Sequence, residues 1–321
     1  MLFHLGALWR LNEAGLLSRL RQVSSVSGGS ITAGVLASRW SRLAFDGSGV
    51  ATQFGREVVA PVRALAGKTI DWRAVVGGVL QGGRVAEQVA AYYRRYLFAN
   101  QTLQDLLPPP APNFWFNATN MQTGALWRFS RAFMADWHVG VVPHPHVELA
   151  TVVAASSAFP PFLSPLHLDL KPEDFTPLSG FDLQRPPYTR RALLADGGVY
   201  DNLGLETAWK HYQTILISNG GGKMSAKESL ACNWFSQSRR VIDLIDNQVR
   251  SLRARGAIAA YRDNTRSGAY WGIWTAYAKY PTTSDELVCP APATSALAGV
   301  SVQVGVGRQG RWRIGYSGGH E

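Results

Sequence analysis

The chain has 321 residues, 46% of them hydrophobic, enough to bury a sizeable core and to favour one large α/β domain with insertions over two small ones. Its two cysteines, Cys232 and Cys289, are too few for a disulfide framework, and neither belongs to a metal-ligand cluster. The formal charge of +10 and the pI near 9.9 call for an anionic partner; the aromatic residues are not interleaved with the basic ones and no recognition motif accompanies them, so no nucleic-acid partner is expected.

The opening segment places Leu5, Leu8, Trp9, Leu16 and Leu20 at the spacing of a buried helix. It is not read as a signal peptide: a basic start is missing, Arg10 and Glu13 interrupt the apolar run, and no small-residue cleavage site follows. No later apolar stretch is long enough to cross a bilayer. The expectation is a cytoplasmic protein or one on a membrane surface, with an export signal upstream of Met1 left open.

Val23 to Ile31 reads Val-Ser-Ser-Val-Ser-Gly-Gly-Ser-Ile and runs into a helix-forming segment, Thr32 to Ser38. This is the composition of a strand, a tight turn and a helix, with Ser27 at the apex. Such a turn pushes a serine hydroxyl out of the fold and aims helix N-terminal amides at the charge that develops in acyl transfer, which makes Ser27 the candidate nucleophile and Gly28 and Gly29 the candidate oxyanion donors. Against the pattern G-x-S-x-G the first glycine is replaced by Ser25, and the same residues would serve an ordinary loop.

Residues 41–110 read as a helical insertion or cap, including a helix from Arg84 to Phe98 and closing at Pro108-Pro109-Pro110. Trp72 and Tyr92 in it would suit lipid contact, with core the default reading. Phe114 to Ala118 and Trp127 to Ser130 alternate around Asn120 to Gly124 as a hairpin does. Glu148 to Ala158 is a helix of small residues that can pack closely on a sheet. Pro143-His144-Pro145-His146 is an extended loop without the acidic or cysteine company of a zinc site.

Ala192 to Ala195 is a short apolar run ending in Asp196-Gly197-Gly198, as a buried strand delivering a carboxylate to a sheet edge would look; a plain Asp-Gly turn is the alternative. Leu205 to Tyr212 reads as a crossover helix ending at His211, and Thr214 to Ser218 as a second doubly buried strand. Strands alternating with helices predict a three-layer α/β/α sandwich with a mainly parallel central sheet. Asn219-Gly220-Gly221-Gly222-Lys223 lacks the spacing of a phosphate loop and reads as a loop near the sheet's C-terminal edge. Arg239, Arg240, Arg250, Arg253, Arg255, Arg262 and Arg266 follow in a helical segment that is either a solvated face or a contact with an anionic membrane. Beyond about Pro290 the pattern is lost, and 291–321 is expected to be an irregular, disordered tail.

Four phrases, taken in order, carry a family resemblance: Ser24 to Ile31, Phe116 to Gly124, Ala154 to Phe162, and Asp196-Gly197-Gly198. Together they resemble the patatin-like phospholipases, and the resemblance covers about residues 1–290. It implies a patatin-like acyl hydrolase domain over that range, a serine-aspartate dyad without histidine, and a lipid acyl-ester substrate. Ser27 matches the family's nucleophile and Asp196 its base, with Gly197 and Gly198 lining the cleft and no cofactor or metal called for. In this family a strand and a glycine-rich oxyanion loop precede the helix that Met1 to Leu16 resembles; the sequence opens at that helix, so the loop and strand are expected to be missing and the neighbouring strand's pairing groups exposed. The competing classes are a catalytically silent homologue that binds lipid or a protein, and a triad esterase in which a histidine such as His211 reaches Ser27.

Overall fold

The computed structural model describes residues 1–68, 85–160, 163–222, 224–229 and 232–275, together with a two-residue strand pair, Gly305–Val306 with Trp312–Arg313. Trp72 and nearly all of the expected tail, 291–321, lie outside the described residues. In chain order the main elements are α1 (Leu2–Glu13), β1 (Gln22–Ser25), α2 (Gly28–Ser38), α3 (Ala60–Ala66), α4 (Val85–Tyr93), β2 (Asn113–Asn120), β3 (Leu126–Phe129), β4 (Phe133–Asp136), β5 (Gly140–Pro143), α5 (Leu149–Ser156), β6 (Leu166–Asp169), β7 (Arg191–Asp196), α6 (Gly198–Asp201), α7 (Glu206–Trp209), β8 (Thr214–Asn219), α8 (Trp234–Arg262) and β9 (Ser267–Gly272).

The sheet corrects the sequence-based expectation. Instead of a mainly parallel central sheet, the seven strands β1 to β7 form a largely antiparallel, strongly curled half-barrel, in which β1 with β2 is the parallel pair. The reason lies in the connections. A parallel pair needs a crossover of a dozen or more residues, whereas short turns join only antiparallel neighbours. Residues Met121–Ala125, Ser130–Ala132 and Trp137–Val139 are such short turns, so β2, β3, β4 and β5 meander back and forth. The long link from β1 to β2 and the helix α8 between β8 and β9 permit the two parallel pairs. The apolar runs at Ala192 to Ala195 and Thr214 to Ser218 are both strands, but they enter different sheets: β7 pairs with β2 and β6, β8 with β9.

Strand β2 organises the site. One of its edges is shared end to end by two strands: β1 runs parallel to it from Gln22↔Asn113 to Ser25↔Phe116, and β7 runs antiparallel with Asp196 opposite Ala118. Because the two run in opposite senses, their C-terminal ends point at each other across Asn117. The core covers this junction. Residues Ser30 to Ala37 of α2 are all buried, as a helix apolar on every side must be, and α5 packs beside it with Leu149 to Ser156 largely buried. Gly34 lets the two helices approach: a Cβ there would stand 2.9 Å from Phe98 and 3.1 Å from Val153. Tyr92, on α4, is packed against this core.

The other edges of β1 and β8 border one cavity of about 1010 Å³. Among the described residues neither strand has a partner on that side.

Candidate active site

Ser27 joins β1 to α2 with φ 53 and ψ −131. A non-glycine residue held there costs on the order of 1–3 kcal/mol, a strain that persists only where the surroundings enforce it. They do so through four hydrogen bonds. Gly29 N–H donates to the Val26 carbonyl (2.9 Å) and Ser30 N–H to the Ser27 carbonyl (2.9 Å), closing the turn. Ser27 N–H donates to the carbonyl of Ser156 (3.0 Å) and approaches its hydroxyl oxygen (3.2 Å).

The same Ser156 carbonyl accepts Gly197 N–H at 3.2 Å, so a single oxygen at the end of α5 pins the residue at the turn and the residue after β7. Its hydroxyl donates to the Asn117 carbonyl (2.7 Å), and the Asn117 amide donates to the Ser25 carbonyl (3.0 Å) and Ser24 Oγ (2.9 Å). Thr119 Oγ1–H donates to the Asp196 carbonyl (2.8 Å), and Asp196 N–H to the Ala158 carbonyl (2.9 Å). The ends of β1, β7 and α5, the start of α2 and the middle of β2 thus fix Ser27 and Asp196 relative to each other.

Asp196 is 1% exposed. One carboxylate oxygen, Oδ1, accepts Gly198 N–H at 2.7 Å; Oδ2 has no hydrogen-bond partner among the described residues. Burial pushes the carboxyl up to about 6; the Ser27 hydroxyl and the Gly198 amide pull it down, and the Asp246 charge pushes it up further. The Ser27 hydroxyl favours the ionised form, and Oδ2 is left without a hydrogen-bond partner among the described residues.

The four glycines named from sequence fall into distinct roles. Gly28 is the first residue of α2, and its N–H has no acceptor among the described residues; the Gly29 amide is spent on the turn. Gly198 caps the carboxylate. Gly197 has no room for a side chain, since a Cβ would overlap the Asn117 carbonyl and come within 2.7 Å of Val26 Cγ1.

Ser27, Gly28, Gly29, Asp196 and Gly198 all line the large cavity, together with Phe159 and with Gly220 and Gly221 of the loop after β8. His211 does not: it is exposed beyond α7. Among the described residues the histidine that reaches the cavity is His4 of α1, whose Nδ1 is 2.9 Å from Ser218 Oγ. Burial, and secondarily the Met1 amino group, push it down to about 4, so it is neutral near pH 7. No hydrogen bond links it to Ser27. Asp246 and Arg250 of α8 are a second addition; Asp246 accepts from the Asn202 amide at 2.9 Å and lies 3.9 Å from the Arg250 guanidinium. A polar residue at the inner face of an apolar helix was the available signal for His4. Asp246 and Arg250 had none, because their helix carries charges all along its length.

A strained serine at a strand-to-helix turn, a buried carboxylate with raised proton affinity and a free amide beside them form a set able to activate a hydroxyl and to stabilise an oxyanion. A family model described as patatin-like phospholipase matches residues 1–209. No curated protein matches the chain.

Proposed function

Because the chain belongs to the patatin-like phospholipase family, we propose that it hydrolyses acyl esters of lipids with Ser27 as nucleophile and Asp196 as general base. The observation that carries this reading is the convergence of the two side chains, from strands that meet head to head, on one cavity. Asp196 takes the Ser27 proton as Oγ attacks the ester carbonyl, and the oxyanion forms beside the Gly28 N–H at the N-terminus of α2. The proton then passes to the leaving alcohol. Water, deprotonated by the same carboxylate, attacks the acyl-enzyme and returns Ser27 to its starting state.

A fluorophosphonate probe tests the reading. The expected result is a covalent adduct on the peptide containing Ser27, absent from Ser27→Ala and unchanged in His4→Ala and His211→Ala. Loss of the adduct in a histidine variant would instead establish a triad. A second reading, a silent homologue that binds lipid, is favoured by one observation: among the described residues of the turn Gly28 alone offers a free amide, and one missing oxyanion donor costs about 10²–10³-fold in rate. Absence of labelling in the folded protein would decide for it.

The pH dependence follows from the carboxylate. Asp196 must be ionised to accept a proton, so the labelling rate rises as pH passes about 6 and levels off above it. Asp246→Asn removes a like charge that raises this value, so the acid limb of the profile moves to lower pH. A limb that stays in place would show that Asp246 does not act on the dyad.

A further inference from the structure

Helix α8 is anchored at its C-terminal half. Ala254 and Ala257 are buried, the Tyr261 hydroxyl donates to the Ile215 carbonyl at 2.7 Å, and the helix packs on β9. Its outward face behaves differently. At about 100° per residue, Trp234, Val241, Ile245 and Leu252 fall on one line, diametrically opposite the buried alanines. They are 78%, 52%, 59% and 60% exposed. At 1.5 Å per residue this apolar stripe runs about 27 Å. Asn233 caps the helix start by accepting Ser236 N–H (2.8 Å), so the stripe belongs to a formed helix.

The charges on the same helix select the occupant. Arginines outnumber aspartates on α8, where Asp243 and Asp246 are the acidic residues, and the exposed Arg255 stands one turn past Leu252 beside the stripe. An exposed tryptophan at one end, an apolar line along one face and the exposed Arg255 beside it, with Asp243 and Asp246 on the far side of the helix, are the pattern of a helix lying in a membrane interface. The opposite flank of this helix supplies Asp246 and Arg250 to the cavity that holds Ser27 and Asp196. No helix among the described residues is long and apolar enough to cross a membrane.

We infer that the exposed stripe of α8 docks on an anionic lipid surface and brings the cleft to its substrate there; the choice of lipid over protein rests on the lipid-hydrolase reading above. The stripe contributes apolar burial and the arginines contribute attraction to anionic headgroups, which is screened by salt.

The experiment is cosedimentation of full-length Ser27→Ala protein, which cannot consume the lipid, with vesicles of phosphatidylcholine alone or mixed equally with phosphatidylglycerol. Binding to the mixed vesicles, weaker in high salt and on phosphatidylcholine alone, is expected. Adding Ile245→Glu should weaken it by about tenfold or more, the effect of losing one large buried side chain, and Arg255→Glu should do so to a smaller degree. Both positions are exposed, so both variants should keep the parent's thermal midpoint, which is measured alongside. Equal binding with and without Ile245→Glu, or no binding to mixed vesicles, overturns the inference. So does a dimer in light scattering that Ile245→Glu dissociates, since the stripe would then serve a second copy. Because the readout is binding by a protein lacking Ser27 Oγ, failure of the dyad shows in the fluorophosphonate experiment and leaves this one intact.

Discussion

Asp196→Asn, assayed on a soluble short-chain ester well above pH 6, is expected to lower kcat/KM by about 10³–10⁴-fold and, in the same protein, to raise folding stability by about 1–3 kcal/mol. The loss follows from the proton inventory: an amide cannot take the Ser27 proton, and His4 makes no hydrogen bond to that hydroxyl. The gain follows from the carboxyl's position near 6 in the folded chain against about 3.9 when unfolded. Between those values the folded state holds the proton more tightly, so stability due to this group falls as pH rises through the window, and above it the full cost of an ionised, buried carboxylate is present. Asparagine removes that charge while its carbonyl can still accept Gly198 N–H. Ser27→Ala should lose at least as much activity, and the double variant should be no worse than the poorer single one, because the two groups act as a unit. A stability gain without an activity loss in Asp196→Asn would sink the general-base assignment; urea titration and initial rates measure the two effects.

Gly197→Ala is expected to damage both fold and site, costing about 3 kcal/mol or more in stability and at least about 10²-fold in kcat/KM. The new methyl would overlap the Asn117 carbonyl and press on Val26, the residue before Ser27. Relief requires moving the end of β7, yet Gly197 N–H and Ser27 N–H share the Ser156 carbonyl, so displacement on one side is felt on the other. A shift of about 1 Å suffices for the rate loss. Gly47→Ala is the control, because nothing lies within 4 Å of a Cβ at that position. If Gly197→Ala unfolds at the same urea concentration as the parent, the close approach of Gly197 to Asn117 and Val26 is not a constraint on the chain.

Much of the site was legible as local chemistry. The strand, tight turn and helix around Ser27 are encoded by β-branched residues running into glycines, and the structure forms them as β1, the positive-φ serine and α2. The apolar run ahead of Asp196 forms β7, and the hairpin around Asn120 to Gly124 forms β2 and β3. These signals act over a few residues, where steric and hydrogen-bonding preferences are strong enough to survive any tertiary context. Strand direction was misread because apolar content reports burial on both faces, which a curled antiparallel sheet and a flat parallel one provide alike; the lengths of the links between β2 and β5 carried the direction.

By itself, then, the sequence determined the local elements, the serine at a tight turn and the carboxylate at a strand end. Only the tertiary structure decided that β1 and β7 meet head to head on β2, that Ser156 ties their ends to one oxygen, and that α1 and α8 bring His4, Asp246 and Arg250 to the same cavity. Those outcomes depend on contacts between residues tens to hundreds of positions apart, and no local preference encodes which distant partner a strand edge or a helix face will find.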